Sequence, residues 1–209
     1  MVFSDRKQAG QLLGEKLVDF AHREDVVILA IPRGGVIVGF ELAKKLHAPL
    51  QVLVTKKIGA PENSELAIGA VAEDGRPIFN EDLVRRLHVT DAYLRTATAL
   101  VHKKIADYIQ QFRDGKVLHV SGKVVIITDD GVATGSTMEA ALSWLQGKHA
   151  SEIILAVPTG AKESMVRLEK LADRTVVLDT PLWFTAVGQF YRNFPQVTDR
   201  EVKQILRAS

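Results

Sequence analysis

Five short runs rich in Val and Ile recur along the chain: VVILAI at residues 26–31, QVLV at 51–54, VVII at 124–127, IILAV at 153–157 and TVVL at 175–178. Apolar side chains at consecutive positions leave no face for water, so such runs read as strands buried on both sides, as in a parallel sheet roofed by helices. The segments between them have helical period. Residues 5–21 set Ala9, Leu12, Leu13, Leu17 and Phe20 at three- and four-residue spacing, and 36–46, 136–145 and 162–171 each follow a strand. The expected class is α/β, a parallel sheet flanked by helices. The longest helical pattern, 91–112, carries Tyr93, Ala97, Val101, Ile105, Tyr108 and Phe112 on one face, with Lys and Gln opposite. It reads as an insertion covering the sheet, with a dimer surface as the rival reading.

Composition removes several function classes. The 209 residues suit one domain, 1–209, and a chain of that length buries about 70% of its unfolded surface without staples. The absence of cysteine excludes disulfides, thiolate zinc sites and cysteine nucleophiles together and fits a reducing compartment. The N-terminal MVFSDRKQAGQLLGEKL is interrupted by charges every few residues, unlike a signal peptide. No run approaches the roughly 18 apolar residues of a membrane span, so the expected location is cytoplasmic, with no membrane partner. A net charge of +2, spread along the chain, lacks the concentrated basic face of a nucleic-acid binder.

Pro and Gly gather where the strands end, in IPRGG (31–35), KKIGAPEN (56–63), DDGVATG (129–135), PTGA (158–161) and DTPLW (179–183). Ligands of open parallel sheets bind outside the carboxyl ends of the strands, so these exits outline one rim. The most informative stretch is VVIITDDGVATGST at 124–137. A buried strand runs into two carboxylates, then small residues, then a helix start. Gly131, Ala133 and Gly135 allow close approach of backbone to ligand, and the amides from Ala133 through Thr134, Gly135 and Ser136 to Thr137 leave a helix N-terminus, where the dipole favours an anion. Ser136 and Thr137 add hydroxyls that can donate or cap. Asp129 and Asp130 would repel a phosphate and therefore face another part of the ligand, a vicinal diol or a magnesium ion shared with phosphate oxygens. A Walker loop and the G-x-G-x-x-G fingerprint are both absent.

These residues resemble the signature of the type I phosphoribosyltransferases: four apolar residues, two acidic, three variable, then Thr-Gly-x-Thr, here VIIT, DD, GVA, TGST. The resemblance implies a Rossmann-like parallel sheet flanked by helices (core about 26–180), a helical insertion at about 80–114, and a C-terminal hood at about 179–209 joined by an N-terminal helix at 4–21. It implies that Asp129 and Asp130 bind the ribose 2- and 3-hydroxyls of phosphoribosyl pyrophosphate and that Gly131 and Ala133 to Thr137 hold its 5-phosphate. A side chain at Gly135 would then intrude on the phosphate. Alanine at Asp129 or Asp130 is expected to weaken donor binding with folding nearly intact.

By the same resemblance Arg33, Gly34 and Gly35 form a pyrophosphate loop, with a non-proline cis peptide at or beside Arg33. Lys56 and Lys57 lie near pyrophosphate, though strand alternation gives only one of them a given face. Residues 58–66, including Asn63, Ser64 and Glu65, form a lid. Trp183, Phe184 and Val187 are candidates for stacking an acceptor base. The implied activity is magnesium-dependent transfer of the 5-phosphoribosyl group to a nitrogenous acceptor, with Asp129, Asp130, Arg33 and Lys57 as the catalytic set and magnesium carried by the substrate with help from the two aspartates. A homodimer is the implied assembly. The alternative is a non-catalytic regulator that binds phosphoribosyl pyrophosphate or a nucleotide. Glu65 and Asp179 qualify as general bases by position only.

Overall fold

The computed structural model describes every residue except Glu65, so the part of the expected lid and the candidate base that fall on Glu65 lie outside the described residues. Helix α1 (Arg6–Lys16) starts where the Asp5 side chain accepts the Gln8 amide. Strand β1 (Val26–Ala30) leads to α2 (Gly35–Leu46) and β2 (Leu50–Val52). A hairpin region follows, with β3 (Thr55–Gly59), β4 (Ala67–Ala72) and β5 (Ile78–Phe79), then the short α3 (Glu81–Arg86) and the long α4 (Asp91–Arg113). The core resumes with β6 (Val124–Thr128), α5 (Ser136–Gln146), β7 (Glu152–Thr159), α6 (Lys162–Leu168) and β8 (Arg174–Asp179). Helix α7 (Asp199–Arg207) closes the chain, opened by a reciprocal cap between Thr198 and Glu201.

All five expected strands enter one parallel sheet of order β2-β1-β6-β7-β8. Alternation along the strands divides the interior. Ile28, Ile126 and Ile154 face Leu13, Leu17, Leu42 and Leu46 of α1 and α2, with Leu17 just past the end of α1. Leu29, Ile127 and Leu155 face Leu142, Leu145 and Leu168 of α5 and α6. Two apolar layers on opposite faces are what consecutive apolar residues demand of a pleated strand.

The stretch expected as a helical insertion, about 80–114, holds α3 and α4. An antiparallel sheet of order β3-β4-β5, not expected from the sequence, precedes them, and α4 packs on β3 and β4 of that small sheet, not on the parallel one. The described residues of the expected lid are tied to the small sheet. Ile58 and Gly59 belong to β3, Ile58 is fully buried, and the tip is closed by the Ala60 amide donating to Leu66 and the Asn63 amide donating to Ala60.

The N-terminus and the hood are one unit. The Phe3 amide donates to the Phe190 carbonyl at 2.8 Å, the Arg192 amide returns to Phe3 at 2.9 Å, and Phe3, Ala9, Phe190 and Tyr191 form a small core of their own. Among the described residues no helix is long and apolar enough to cross a membrane.

Candidate functional site

The loop after β6 is held open by its neighbours. The Val132 amide donates to Thr159 and the Ala161 amide to Val132, stitching the loop to the exit of β7. Ser164 Oγ donates to the Ala133 carbonyl and Arg167 Nη2 to the Thr134 carbonyl, each at 2.7 Å. With those carbonyls drawn toward α6, the amides of 133–137 carry no protein acceptor among the described residues. They meet at the first turn of α5, where unpaired N–H groups and the helix dipole both favour an anion. Gly135 sits at φ +80°, which disfavours any side chain. A Cβ there would meet Ser164 at 3.3 Å and Leu168 at 3.4 Å, so a substitution strains the backbone against α6 and does not intrude on the phosphate space as expected.

Asp129 and Asp130 stand just ahead of this seat, with Asp129 Oδ1 accepting the Asp130 amide at 2.8 Å. Asp130 is clamped by a residue that the motif does not contain: Arg6, at the first position of α1, donates Nε to Asp130 Oδ2 at 2.7 Å. The Tyr191 hydroxyl donates to the Asp130 carbonyl at 2.6 Å. Arg6 is nearly as buried as a core leucine, so Asp130→Ala would strand a guanidinium inside the protein. Asp130→Ala is therefore predicted to lower stability as well as donor binding, unlike the nearly intact folding expected from the sequence. The only sequence signal for Arg6 was its position within the first helical turn.

The pyrophosphate-loop candidates lie directly against the aspartates, and the Pro32–Arg33 peptide is cis, at the place expected. A Cβ on Gly35 would come within 2.8 Å of Asp129 Cα, and one on Gly34 would overlap Asp130 Oδ2. Arg33 points elsewhere: its Nη1 lies 3.6 Å from Asp199 at the start of α7. The two lysines separate as alternation requires. Lys56 Nζ sits 3.6 Å from the centre of the Tyr108 ring of α4, whereas Lys57 faces a cleft.

That cleft, about 1060 Å³, is bounded by Lys57 and Phe79 of the hairpin sheet, Thr134 and Ser136 of the seat, Lys162 and Arg167 of α6, and Trp183 and Phe184 of the hood. Trp183 is 86% exposed, an apolar plane offered to solvent at the rim. Val187, the third acceptor candidate, packs on Gly131, where a Cβ would approach its Cγ1 to 2.6 Å.

Burial, and secondly the charge of Asp130, holds the Asp129 carboxyl well above the usual carboxylate range. Burial also raises Asp130, with Arg6 pulling in the opposite direction. The Tyr191 phenol is pushed up by burial and remains a donor. An acid whose folded pKa is raised costs stability above its unfolded pKa and nothing below it. Asp129→Asn, which keeps the acceptor for the Asp130 amide, is thus expected to raise the melting temperature near pH 7 and to lose that advantage below about pH 4, at about 2–4 °C per kcal/mol. Melting curves across pH check this; an advantage that persists unchanged at low pH would refute the electrostatic cause.

Magnesium fits this site only alongside a substrate. Among the described residues no group of three His, Cys, Asp or Glu side chains could hold a metal. Two adjacent carboxylates suit an ion whose remaining ligands are phosphate oxygens and water.

The family model for the phosphoribosyl transferase domain matches residues 6–195. A Mycobacterium tuberculosis H37Rv protein, provisionally named a phosphoribosyl transferase, is 41% identical over 206 residues, covering 98% of this chain and 46% of its own. The chain thus spans about half the length of the curated relatives it matches. The crystal structure of TT1426 from Thermus thermophilus is 38% identical and superposes with a TM-score of 0.81 over 99% of this chain and 98% of that one. A hypothetical Neisseria gonorrhoeae protein with bound ppGpp shares the fold at 16% identity and a TM-score of 0.50, over 100% of this chain and 94% of that one.

Proposed function

The chain belongs to the phosphoribosyl transferase domain family, and from that premise we propose that it moves the 5-phosphoribosyl group of phosphoribosyl pyrophosphate onto a nitrogen acceptor with release of pyrophosphate. The observation that carries this reading is the conjunction at the end of β6: a helix-start loop whose amides are free because its carbonyls are drawn to α6, beside two carboxylates fixed by their own backbone and by Arg6. The first feature suits a phosphate monoester and the second a vicinal diol, and the 5-phosphoribosyl group offers both.

In the reaction the bond from ribose C1 to pyrophosphate breaks, its electron pair leaving with pyrophosphate, and a nitrogen lone pair forms the new bond to C1. The ring passes through oxocarbenium character, as in glycoside cleavage. The amides of Ala133 to Thr137 hold the 5-phosphate, and Asp129 and Asp130 hold the hydroxyls and favour the developing positive ring. Lys57 and the Gly34–Gly35 backbone receive the negative charge of the leaving group. Arg33 joins them by releasing Asp199, a pair weak enough at 3.6 Å and partial exposure to exchange. Magnesium, when bound with the donor, supplies charge neutralisation on the phosphate oxygens. Trp183 and Phe184 offer the acceptor a stacking surface worth about 1–3 kcal/mol for any flat base.

A second reading, a non-catalytic binder of the donor or of a nucleotide, draws on the ppGpp held by the Neisseria protein of the same fold. One assay separates them: the protein with magnesium, phosphoribosyl pyrophosphate and a panel of nitrogenous bases, followed by pyrophosphate release. Release that depends on one base supports transfer and names the acceptor. Calorimetric donor binding without release selects the second reading, and neither binding nor release removes both.

A further inference from the structure

We propose that Arg6 is a positioning residue for the sugar: by clamping Oδ2 of Asp130 it presents Oδ1 to a ribose hydroxyl. The inference rests on the donor reading above and extends it to a helix that lies outside the β6 motif.

Arg6 occupies an unfavourable place. A cation at the first position of a helix meets the positive end of the dipole, and arginine is among the side chains least often buried. Its side chain is nevertheless only 7% exposed. The surroundings that compensate come from separate parts of the fold. Nε donates to Asp130 Oδ2 at 2.7 Å, Nη1 donates to the Pro195 carbonyl at 2.8 Å, and the guanidinium plane lies 3.7 Å from the centre of the Phe194 ring. Gly34 closes a further side, because a Cβ on it would lie 2.9 Å from Arg6 Nε. Helix α1, the β6 loop, the hood and the loop after β1 therefore converge on one guanidinium.

Asp130 is correspondingly immobile. Its amide is bound by Asp129 Oδ1 and its carbonyl by the Tyr191 hydroxyl. A carboxylate has two oxygens to offer, and here one is committed to Arg6 while the other is left for a ligand. The planar fork that reaches Asp130 and Pro195 together, while stacking on Phe194, is a task that lysine performs incompletely.

A merely structural role, pinning α1 to the hood, predicts a different outcome from a positioning role. The 209-residue protein is titrated calorimetrically with ribose 5-phosphate and with 2,3-dideoxyribose 5-phosphate, which share the phosphate and differ in the diol. The wild type is expected to prefer the ribose sugar by about tenfold or more, the scale of a hydrogen bond to a charged group. Arg6→Gln is expected to retain the affinity for the deoxy sugar but to reduce the preference to about twofold or less, and Arg6→Lys to restore part of it. An undiminished preference in Arg6→Gln overturns the inference and leaves the donor reading standing. If Arg6→Gln does not fold, Arg6→Lys decides: an intermediate preference supports the positioning role and a wild-type preference overturns it. A wild type indifferent to the diol overturns the assignment of the aspartates to ribose, and the role of Arg6 falls with it.

Discussion

Glu73→Leu is expected to lower stability by about 3–5 kcal/mol, the cost of leaving one member of a buried ion pair uncompensated. Glu73, just past β4, accepts from Arg113 Nη2 at 2.6 Å, with 7% and 8% of the two side chains exposed, and takes the Val54 amide at 2.9 Å. Nε and Nη1 of Arg113 are buried without a partner among the described residues, so among those residues Glu73 is the carboxylate that pairs with that charge. Arginine cannot discharge itself by losing a proton. The reverse truncation is milder. Burial already pushes the Glu73 carboxyl up, against the pull of Arg113, and in Arg113→Met it rises further. The lone glutamate then takes a proton, so the loss is largest at high pH and fades as pH falls through that raised pKa. Removing both partners, Glu73→Leu with Arg113→Met, should recover most of the stability. At about 2–4 °C per kcal/mol, Glu73→Leu lowers the melting temperature by on the order of 10 °C. A melt within a couple of degrees of wild type, or a double variant no better than the single, would show that the pair does not tie α4 to the hairpin.

The largest loss of binding is expected from one methyl group. In Gly34→Ala the new Cβ overlaps Asp130 Oδ2 and crowds Arg6 Nε, and neither atom belongs to a free side-chain end, since each is bonded to the other inside the site. The carboxylate must leave the position in which it is proposed to meet the sugar. Loss of one or two charge-assisted hydrogen bonds at about 1.5–3 kcal/mol corresponds to an affinity for ribose 5-phosphate reduced by about a hundredfold. Stability should fall by about 1–3 kcal/mol, as for other overpacked sites. Calorimetry and a thermal melt read the two effects separately. Unchanged affinity in a folded Gly34→Ala protein would mean that Asp130 does not contact the ligand.

How much of this was legible in the sequence depended on how far apart the cooperating residues lie. The stretch from Val124 to Thr137 contains its strand, its acids, its turn and its helix start in one piece, so the backbone geometry that makes an anion seat is local. The glycines after β1 could be recognised as a close approach, but not what they approach, because Asp129 and Asp130 enter through a different strand. The hairpin was hidden for another reason. TKKIG and AIGAVA intersperse their β-branched residues with Lys, Gly and Ala, so neither forms an apolar run, and they become strands by pairing with each other, Lys57 opposite Ala70. Arg33, read as an anion contact, is turned toward Asp199 by a helix near the end of the chain.

The amino-acid sequence by itself determined the parallel sheet, the faces of its helices and the helix start after β6, since each follows from periodicity or from a few consecutive backbone angles. Only the tertiary structure decided that Arg6 reaches Asp130 across 124 positions, that Glu73 neutralises Arg113, and that Lys57 rather than Lys56 faces the cleft. A charge finds its partner through space, and which distant side chain stands within hydrogen-bond distance is settled by how the elements pack.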